Sequence, residues 1–522
     1  MYAKLHTVLQ ERWVVLPVLS GVLLVLSFHP LNLWPLGFVA LSPLYYFVAA
    51  YPRSRRQIFW GGAVTGGLFS FCLSYFTIIQ FHWLPEAYLF VGAVRLAVLP
   101  ITLLGAAVCG AAMLAYAKLR SPSLMQSVSV GAAVYALSEI ILQAVFGGYY
   151  LATLGYVAVP LVPLLGVAAL GGGALLSFAV AWVNVALAEA AIRGFKQVRD
   201  FVPLAACVAA AVVAVSVQAW YLRAAPQTQA ITVSVIQGGL REGAQFGRVV
   251  NNAFSFPWLG EALASAASTT PDLVIYPFSP VEGALYRTHA PLNKNVLAAS
   301  ESQFGAFLNT HVPAQSAVLT WNTLYDGNFY NEYQVWRGGV PESEYQKRAL
   351  FPFMDYTPAW AQRIGLYSTP FDVVAGASDD LPMLGDIPLG SLLCSELHSA
   401  ALARSDARRS PLLIAVGSEA MFVDEVASNF SLKAAQLRAA ENNVPVVRGN
   451  ILGPSAIIAR DGSLIAYAPA RLEAIVSATV PLYEPRATLY NRFGPLPTLL
   501  LICGILGTAL WRRLHSYLPA DR

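Results

Sequence analysis

The sequence predicts a protein in two parts. A multi-span α-helical membrane domain covers residues 1–225, with about seven transmembrane helices. An α/β domain covers 226–490. A last transmembrane helix and a basic tail follow over 491–522. Three observations carry this division. The 522 residues are 56% hydrophobic and only 12% charged, whereas soluble domains run near 45–50% apolar with about 25% charged. Mean hydropathy is +0.55, and the long apolar runs fall in the first ~225 and last ~30 residues. Between them, Asp, Glu, Lys and Arg are spread as in an ordinary globular domain, and strand-like and helix-like stretches alternate.

The membrane spans are expected near 13–29, 32–50, 57–81, 87–118, 126–145, 163–192, 201–222 and 494–511. The fourth and sixth are long enough to be tilted or broken. Basic residues set the orientation. Lys4 and Arg12 precede the first span; Arg53, Arg55 and Arg56 follow the second; Lys118 and Arg120 follow the fourth; Arg193, Lys196 and Arg199 follow the sixth; Arg512 and Arg513 follow the eighth. With eight spans all five clusters fall on one side, the cytoplasmic side by the positive-inside rule. Segment 226–490 then faces outward from a bacterial inner membrane. Glu139 and Glu189 lie within apolar stretches, where charge is costly and often functional; Glu189 is also placed to snorkel toward an interface.

The globular segment opens with a β-branched run, Ala230–Ile236. Further strands are expected at Asp272–Tyr276, Ala317–Trp321, Glu332–Trp336, Ile387–Leu393, Pro411–Val416, Val444–Val447 and Ser455–Ala459, with a hairpin turn at Arg460–Ser463. Asn429–Asn442 reads as a helix capped by Asn429. A net charge of +4 makes nucleic acid an unlooked-for partner. Of five cysteines, Cys72, Cys109, Cys207 and Cys503 lie in expected spans and Cys394 is alone in the globular segment, so no intradomain disulfide is expected. No Cys and His cluster has metal-ligand spacing; no cofactor is expected.

Two stretches carry chemistry. In Ile387–Ser399 (IPLGSLLCSELHS) a buried-strand run ends on Cys394, with Glu396 two residues on. Catalytic groups collect at such strand ends, although a free Cys is more often a small buried hydrophobe. In Tyr345–Asp355, Lys347 precedes an apolar, Pro-containing loop. An ammonium beside a thiol favours thiolate and can stabilise an oxyanion, although a Lys taken alone is usually a surface residue.

The order of these parts resembles the apolipoprotein N-acyltransferases, membrane-integrated members of the nitrilase superfamily. The likeness runs from Phe28–Leu41 (FHPLNLWPLGFVAL) through Val235–Gly238, Asp272–Pro277, Tyr345–Asp355 and Leu393–Glu396 to Arg438–Asn442 (RAAEN). It implies a nitrilase-like αββα sandwich for 226–490 and a Glu–Lys–Cys triad in which Lys347 and Cys394 match the lysine and cysteine. Glu396 matches a supporting carboxylate. The triad glutamate, which in the family follows the Pro matching Pro277, is replaced by Phe278. Other departures are Phe246 for Trp, Asp355 for Glu, Ser395 for Tyr, and Ser418-Glu419-Ala420 for a Ser-Asn-Asp run. Glu282, four residues beyond Phe278, is a substitute base; Glu396 and Asp355 are others.

The resemblance implies transfer of an acyl chain from membrane phospholipid, through a Cys394 thioester, to the N-terminal amine of a diacylglyceryl-cysteine lipoprotein. Lys347 and the Ser395 backbone N–H would hold the oxyanion, and the protein is expected to be a monomer. Two readings stay open beside it: a catalytically degenerate homologue that binds lipid or lipoprotein, and an acyltransferase or amidase with a different amine substrate.

Overall fold

Near-continuous apolar runs make strands that are buried on both faces, and alternating runs make strands with one wet face. Both kinds occur in the computed structural model, which describes residues 13–28, 30–75, 88–147, 153–239, 256–277, 284–286, 298–352, 354–365, 372–419 and 426–515. Two compact units result. One is helical and includes the C-terminal residues from Thr488 onward; the other contains Tyr221–Ala487.

In the helical unit five described helices are long and apolar enough to cross a membrane: Val98–Leu119, Leu124–Val145, Gly173–Arg193, Val198–Ala224 and Leu496–His515. The chain is a membrane protein. The expected span 57–81 appears as helix Arg55–Ser74, whose Gly, Ser and Thr content lowers its hydropathy. The expected span 32–50 is instead a 3-10 turn, Trp34–Phe38, followed by a short helix, Ser42–Ala50. The expected long span 163–192 is broken at Gly172, whose φ of +77° no β-carbon-bearing residue adopts readily.

Buried polar side chains tie these irregular segments down, since backbone groups away from water need partners. Asn184 donates to the Gly37 carbonyl at 2.9 Å and accepts from the Leu41 N–H at 2.7 Å. Glu139 accepts from the Leu154 N–H at 2.7 Å. Glu189 does not snorkel. It is 1% exposed and pairs with Arg120 at 2.9 Å, while Ser127 and Tyr116 donate to the same oxygen.

The basic clusters converge in this unit. Arg120 donates to the Ala49 carbonyl at 3.3 Å and Arg193 to the Pro122 carbonyl at 3.5 Å. Arg513 donates to the Lys118 carbonyl, and Arg512 to Gln126 Oε1 at 2.8 Å. Helix ends that are far apart in sequence thus meet around the 118–126 turn.

The second unit has fourteen described strands: β1 Gln227–Gln237, β2 Leu273–Tyr276, β3 Ala284–Tyr286, β4 Ala298–Ser300, β5 Ala317–Tyr325, β6 Phe329–Arg337, β7 Val340–Gln346, β8 Met383–Leu384, β9 Ile387–Leu393, β10 Leu412–Ser418, β11 Val446–Ile451, β12 Ser455–Ile458, β13 Leu464–Ala468 and β14 Ala474–Tyr483. They form two sheets. One runs β14-β1-β2-β5-β3-β4, with β6 and β7 extending from β5; the other runs β13-β12-β11-β10-β9-β8. Strands β9, β10 and β11 are parallel, with Leu393 opposite Val416 and Val416 opposite Gly449.

The sheets meet face to face. Val233, Val235 and Leu319 of the first interleave with Leu389, Ile414 and Val447 of the second in one apolar core. Each such side chain contributes about 1.5–3 kcal/mol on full burial. Helices α1 Phe256–Ala266 and α2 Glu301–His311 cover the outer face of the first sheet through Leu259, Leu263, Phe304 and Leu308. Helices α3 Ala400–Ala407 and α4 Val426–Asn442 cover the second. This is the αββα sandwich of a nitrilase-like domain. Asn429 does not cap α4: the helix starts three residues earlier, and Asn443, at φ +56°, turns the chain beyond its end.

Candidate active site

Strand β9 is buried at every residue but one, and this run delivers the chain to Cys394 at a fixed point. Cys394 then takes φ +55°, a left-handed conformation that residues with a β-carbon adopt at a cost and that clusters at functional sites. The turn resembles the sharp strand-to-helix elbow that exposes a nucleophile. The short 3-10 turn Cys394–His398 follows at once. Gly417 makes room for the elbow. A β-carbon there would lie 3.3 Å from the Cys394 Cα and 3.4 Å from Asn450 Nδ2.

Lys347 sits one residue beyond β7 and is 1% exposed. Asp355 accepts from its ammonium at 2.5 Å. Asp355 is itself fixed: Asn331 Nδ2 donates to Oδ1 at 2.7 Å and the Phe351 N–H to Oδ2 at 2.6 Å. Burial works against the Lys347 charge, but the nearby Cys394 and Asp355 outweigh it and hold the ammonium above its ordinary range. The buried lysine is therefore a fixed cation beside the sulfur.

Glu396 is fully buried and saturated. Its Oε1 accepts from the Arg348 and Ala349 N–H groups, both at 2.8 Å. Its Oε2 accepts from Tyr345 Oη at 2.7 Å and from the Leu393 N–H at 2.9 Å. One carboxylate thus joins the loop carrying Lys347 to the strand end carrying Cys394. Burial raises its proton affinity, against the pull of the Ala349 and Tyr345 hydrogen bonds. Arg348 braces the same loop through Asp406 at 2.7 Å, and Asp406 also accepts from the Ser391 N–H of β9 at 2.9 Å.

The thiol departs from the expectation of a lysine-primed thiolate. Desolvation pushes the Cys394 thiol up; Lys347 and the Ser395 N–H pull it down, and Asp355 and Glu419 push it up again, for a net rise. The net shift favours the thiol form, so attack by the sulfur calls for a proton acceptor. The structure brings together Cys394, Ser395, Glu396, Lys347 and Asp355. Phe246, Phe278 and Glu282 lie outside the described residues.

Comparison with known proteins agrees with this geometry. Residues 20–186 match the model of the apolipoprotein N-acyltransferase N-terminal domain, and residues 255–488 match the carbon-nitrogen hydrolase model. The apolipoprotein N-acyltransferase of Haemophilus influenzae is 23% identical over 97% of this chain and 95% of its own length. That of Azotobacter vinelandii is 25% identical over 96% and 97%. The chain belongs to the apolipoprotein N-acyltransferase family.

A carbon-nitrogen hydrolase from Helicobacter pylori G27 is similar over 56% of this chain and 95% of its own, with 15% identity and a TM-score of 0.35. Within its family the chain is a divergent member, with Phe278 where the glutamate is expected. Sequence reasoning missed Tyr345 Oη, Asn331 and Asp406 as supports. Tyr345 opens the Tyr345–Asp355 stretch; Asn331 and Asp406 carry no local signal, because their partners come from elsewhere in the chain.

Proposed function

We propose that this protein is an N-acyltransferase that carries an acyl chain on Cys394, between a phospholipid donor and the N-terminal amine of a diacylglyceryl-cysteine lipoprotein. The carrying observation is the pairing of a cysteine elbow with a buried lysine held by Asp355. The Cys394 sulfur attacks the ester carbonyl, and the oxyanion forms beside the Lys347 ammonium and the Ser395 N–H, which already donates toward the sulfur. The lysophospholipid leaves, and the amine attacks the thioester. Glu396 and Asp355 position the cation and the nucleophile. Ser395 and Phe246, smaller than their family counterparts, shape the acceptor side, and Glu282, the substitute base expected from the sequence, lies outside the described residues.

Segment 226–490 faces the outside of a bacterial inner membrane in this reading, and the protein works as a monomer. Both substrates are lipids that leave a bilayer only at a cost of about 0.8 kcal/mol per CH₂, which suits a membrane-embedded enzyme. The test is covalent. Purified protein mixed with alkyne-tagged phospholipid should gain a hydroxylamine-labile tag at Cys394, absent in Cys394→Ala. The tag should then pass to a diacylglyceryl-cysteine peptide as a hydroxylamine-stable amide. Phe278 favours a second reading, a lipid-binding homologue without turnover, and absence of any tag on wild type would select it. Transfer to a different amine instead would select altered acceptor specificity.

A further inference from the structure

A thiol that attacks a carbonyl must give up its proton, and few described groups near Cys394 can take it. Glu396 is saturated by four donors. Asp355 has both oxygens engaged, by Asn331 on one side and by Lys347 and the Phe351 N–H on the other. His398 is driven down to about 3 by desolvation and by the Arg438 and Arg448 charges, which leaves it a very weak base.

Glu419 differs from all three. It directly follows β10 as Cys394 directly follows β9, and these strands are parallel neighbours with Val416 opposite Leu393. The two residues therefore leave adjacent strands at the same sheet edge. Glu419 is 7% exposed. Its Oε1 accepts from Arg448 Nη2 at 2.5 Å, and its backbone N–H donates to the Ile451 carbonyl at 3.0 Å. Its Oε2 is buried with no hydrogen-bond partner among the described residues. Gly453 keeps that oxygen's space clear, because a β-carbon there would lie 1.8 Å from Oε2. Burying an acceptor unsatisfied costs about 1–3 kcal/mol, and more for a charged group; an oxygen kept this way calls for a use.

We propose that Glu419 Oε2 is the proton acceptor of this site. The inference rests on the thioester reading above. As the Cys394 sulfur bonds to the acyl carbon, its proton passes to Oε2. When the ester C–O bond breaks, that proton goes to the departing alkoxide. In the second half, the amine nitrogen bonds to the acyl carbon, its proton goes to Oε2, and the C–S bond breaks. The proton then returns to the thiolate, so Glu419 ends each turnover as it began. Arg448 fixes one oxygen and leaves the other without a hydrogen-bond partner among the described residues. The charge of Glu419 is already felt at the sulfur.

The test uses the full chain in detergent and the acylation of Cys394 by p-nitrophenyl butyrate, read as p-nitrophenol release and as thioester mass. Glu419→Gln keeps an acceptor for Arg448 but no proton acceptor, and should slow acylation by about 10²–10⁴-fold. Glu419→Asp keeps the ion pair and withdraws the oxygen, so it should fall between. Adding Phe278→Glu to Glu419→Gln should restore much of the rate, which no purely structural role predicts. If Glu419→Gln does not fold, Glu419→Asp decides: an acylation rate equal to wild type overturns the proposal. A folded Glu419→Gln at wild-type rate, or abolition by Glu282→Gln alone, overturns it as well. Wild type acylated by the p-nitrophenyl ester but never by phospholipid would remove the donor assignment and leave Glu419 standing. Wild type acylated by neither would remove both.

Discussion

Lys347 and Asp355 form an ion pair of 2.5 Å in which neither side chain is more than 7% exposed. Such a pair is held by mutual dependence, because removing one partner strands a buried charge at about 3–5 kcal/mol. Asp355→Asn should therefore lower thermal stability markedly. The double variant Lys347→Met/Asp355→Asn, which buries no lone charge, should regain most of the loss while staying inactive. Thermal unfolding in detergent measures both. Equal stability of Asp355→Asn and wild type would mean that Lys347 finds its counter-charge elsewhere.

The direction of the Cys394 shift makes a pH prediction. Desolvation raises the thiol and Lys347 only partly offsets it, so little thiolate exists at neutral pH. Iodoacetamide alkylation of Cys394 should rise with pH, with a midpoint above the unperturbed thiol value of about 8.5. Removing the cation removes the downward pull, so in Lys347→Met/Asp355→Asn the midpoint should move according to the sum of two lost charges, and in Lys347→Met it should move further up. A midpoint near neutrality in wild type would contradict this account.

Much of this site was legible in the sequence because its parts are local. Cys394 ends a short apolar run that reads as a buried strand, Glu396 follows at fixed spacing, and Lys347 lies in a compact motif. What was not legible depends on pairing across sequence distance. Strand β7 reads VPESEYQ, with one fully buried residue, and gave no apolar signal. Strand β14 is aligned along β1, Gln227 opposite Tyr483 and Gln237 opposite Ala474, and that register is fixed by a partner some hundreds of residues away. The role of Glu419 was hidden for the same reason, since Arg448 and the neighbouring strand end supply its setting.

The four bonds to Glu396 make it a positioning residue, and its replacement should show as much. In Glu396→Gln one oxygen becomes an amide N–H₂ facing donors. Whichever way the amide turns, two N–H or O–H groups lose their acceptor, at about 1–3 kcal/mol each. The variant should unfold earlier and acylate slowly, with Cys394 alkylation at high pH preserved in the folded fraction. Unchanged stability would mean that the clamp between the Arg348 and Leu393 N–H groups is not formed in solution.

Gly417 offers a cleaner perturbation of the elbow. A methyl there would stand 3.3 Å from the Cys394 Cα, closer than comfortable carbon contact. Since Cys394 already holds φ +55°, little slack remains. Gly417→Ala should leave the sheets folded, with circular dichroism unchanged, and should cut acylation of Cys394 by about tenfold or more, the cost of a misplaced nucleophile. Acylation at the wild-type rate would show that the elbow tolerates displacement.

The orientation of the chain gives the last prediction. Residues Arg120, Arg193, Arg512 and Arg513 all reach the neighbourhood of the 118–126 turn or the helix ends beside it. That spatial gathering puts the basic clusters at one end of the helical unit. Basic ends stay cytoplasmic because translocating them is unfavourable. Helix Val198–Ala224 starts beside Arg199, and helix Leu496–His515 ends on Arg512, Arg513 and His515. The segment joining their opposite ends, which contains the site, is therefore expected outside. With the native cysteines of the spans replaced, Pro341→Cys should react with an impermeant maleimide in intact spheroplasts, and Gln197→Cys should react only after lysis. The reverse pattern would place Cys394 in the cytoplasm and remove extracytoplasmic lipoproteins from consideration as acceptors.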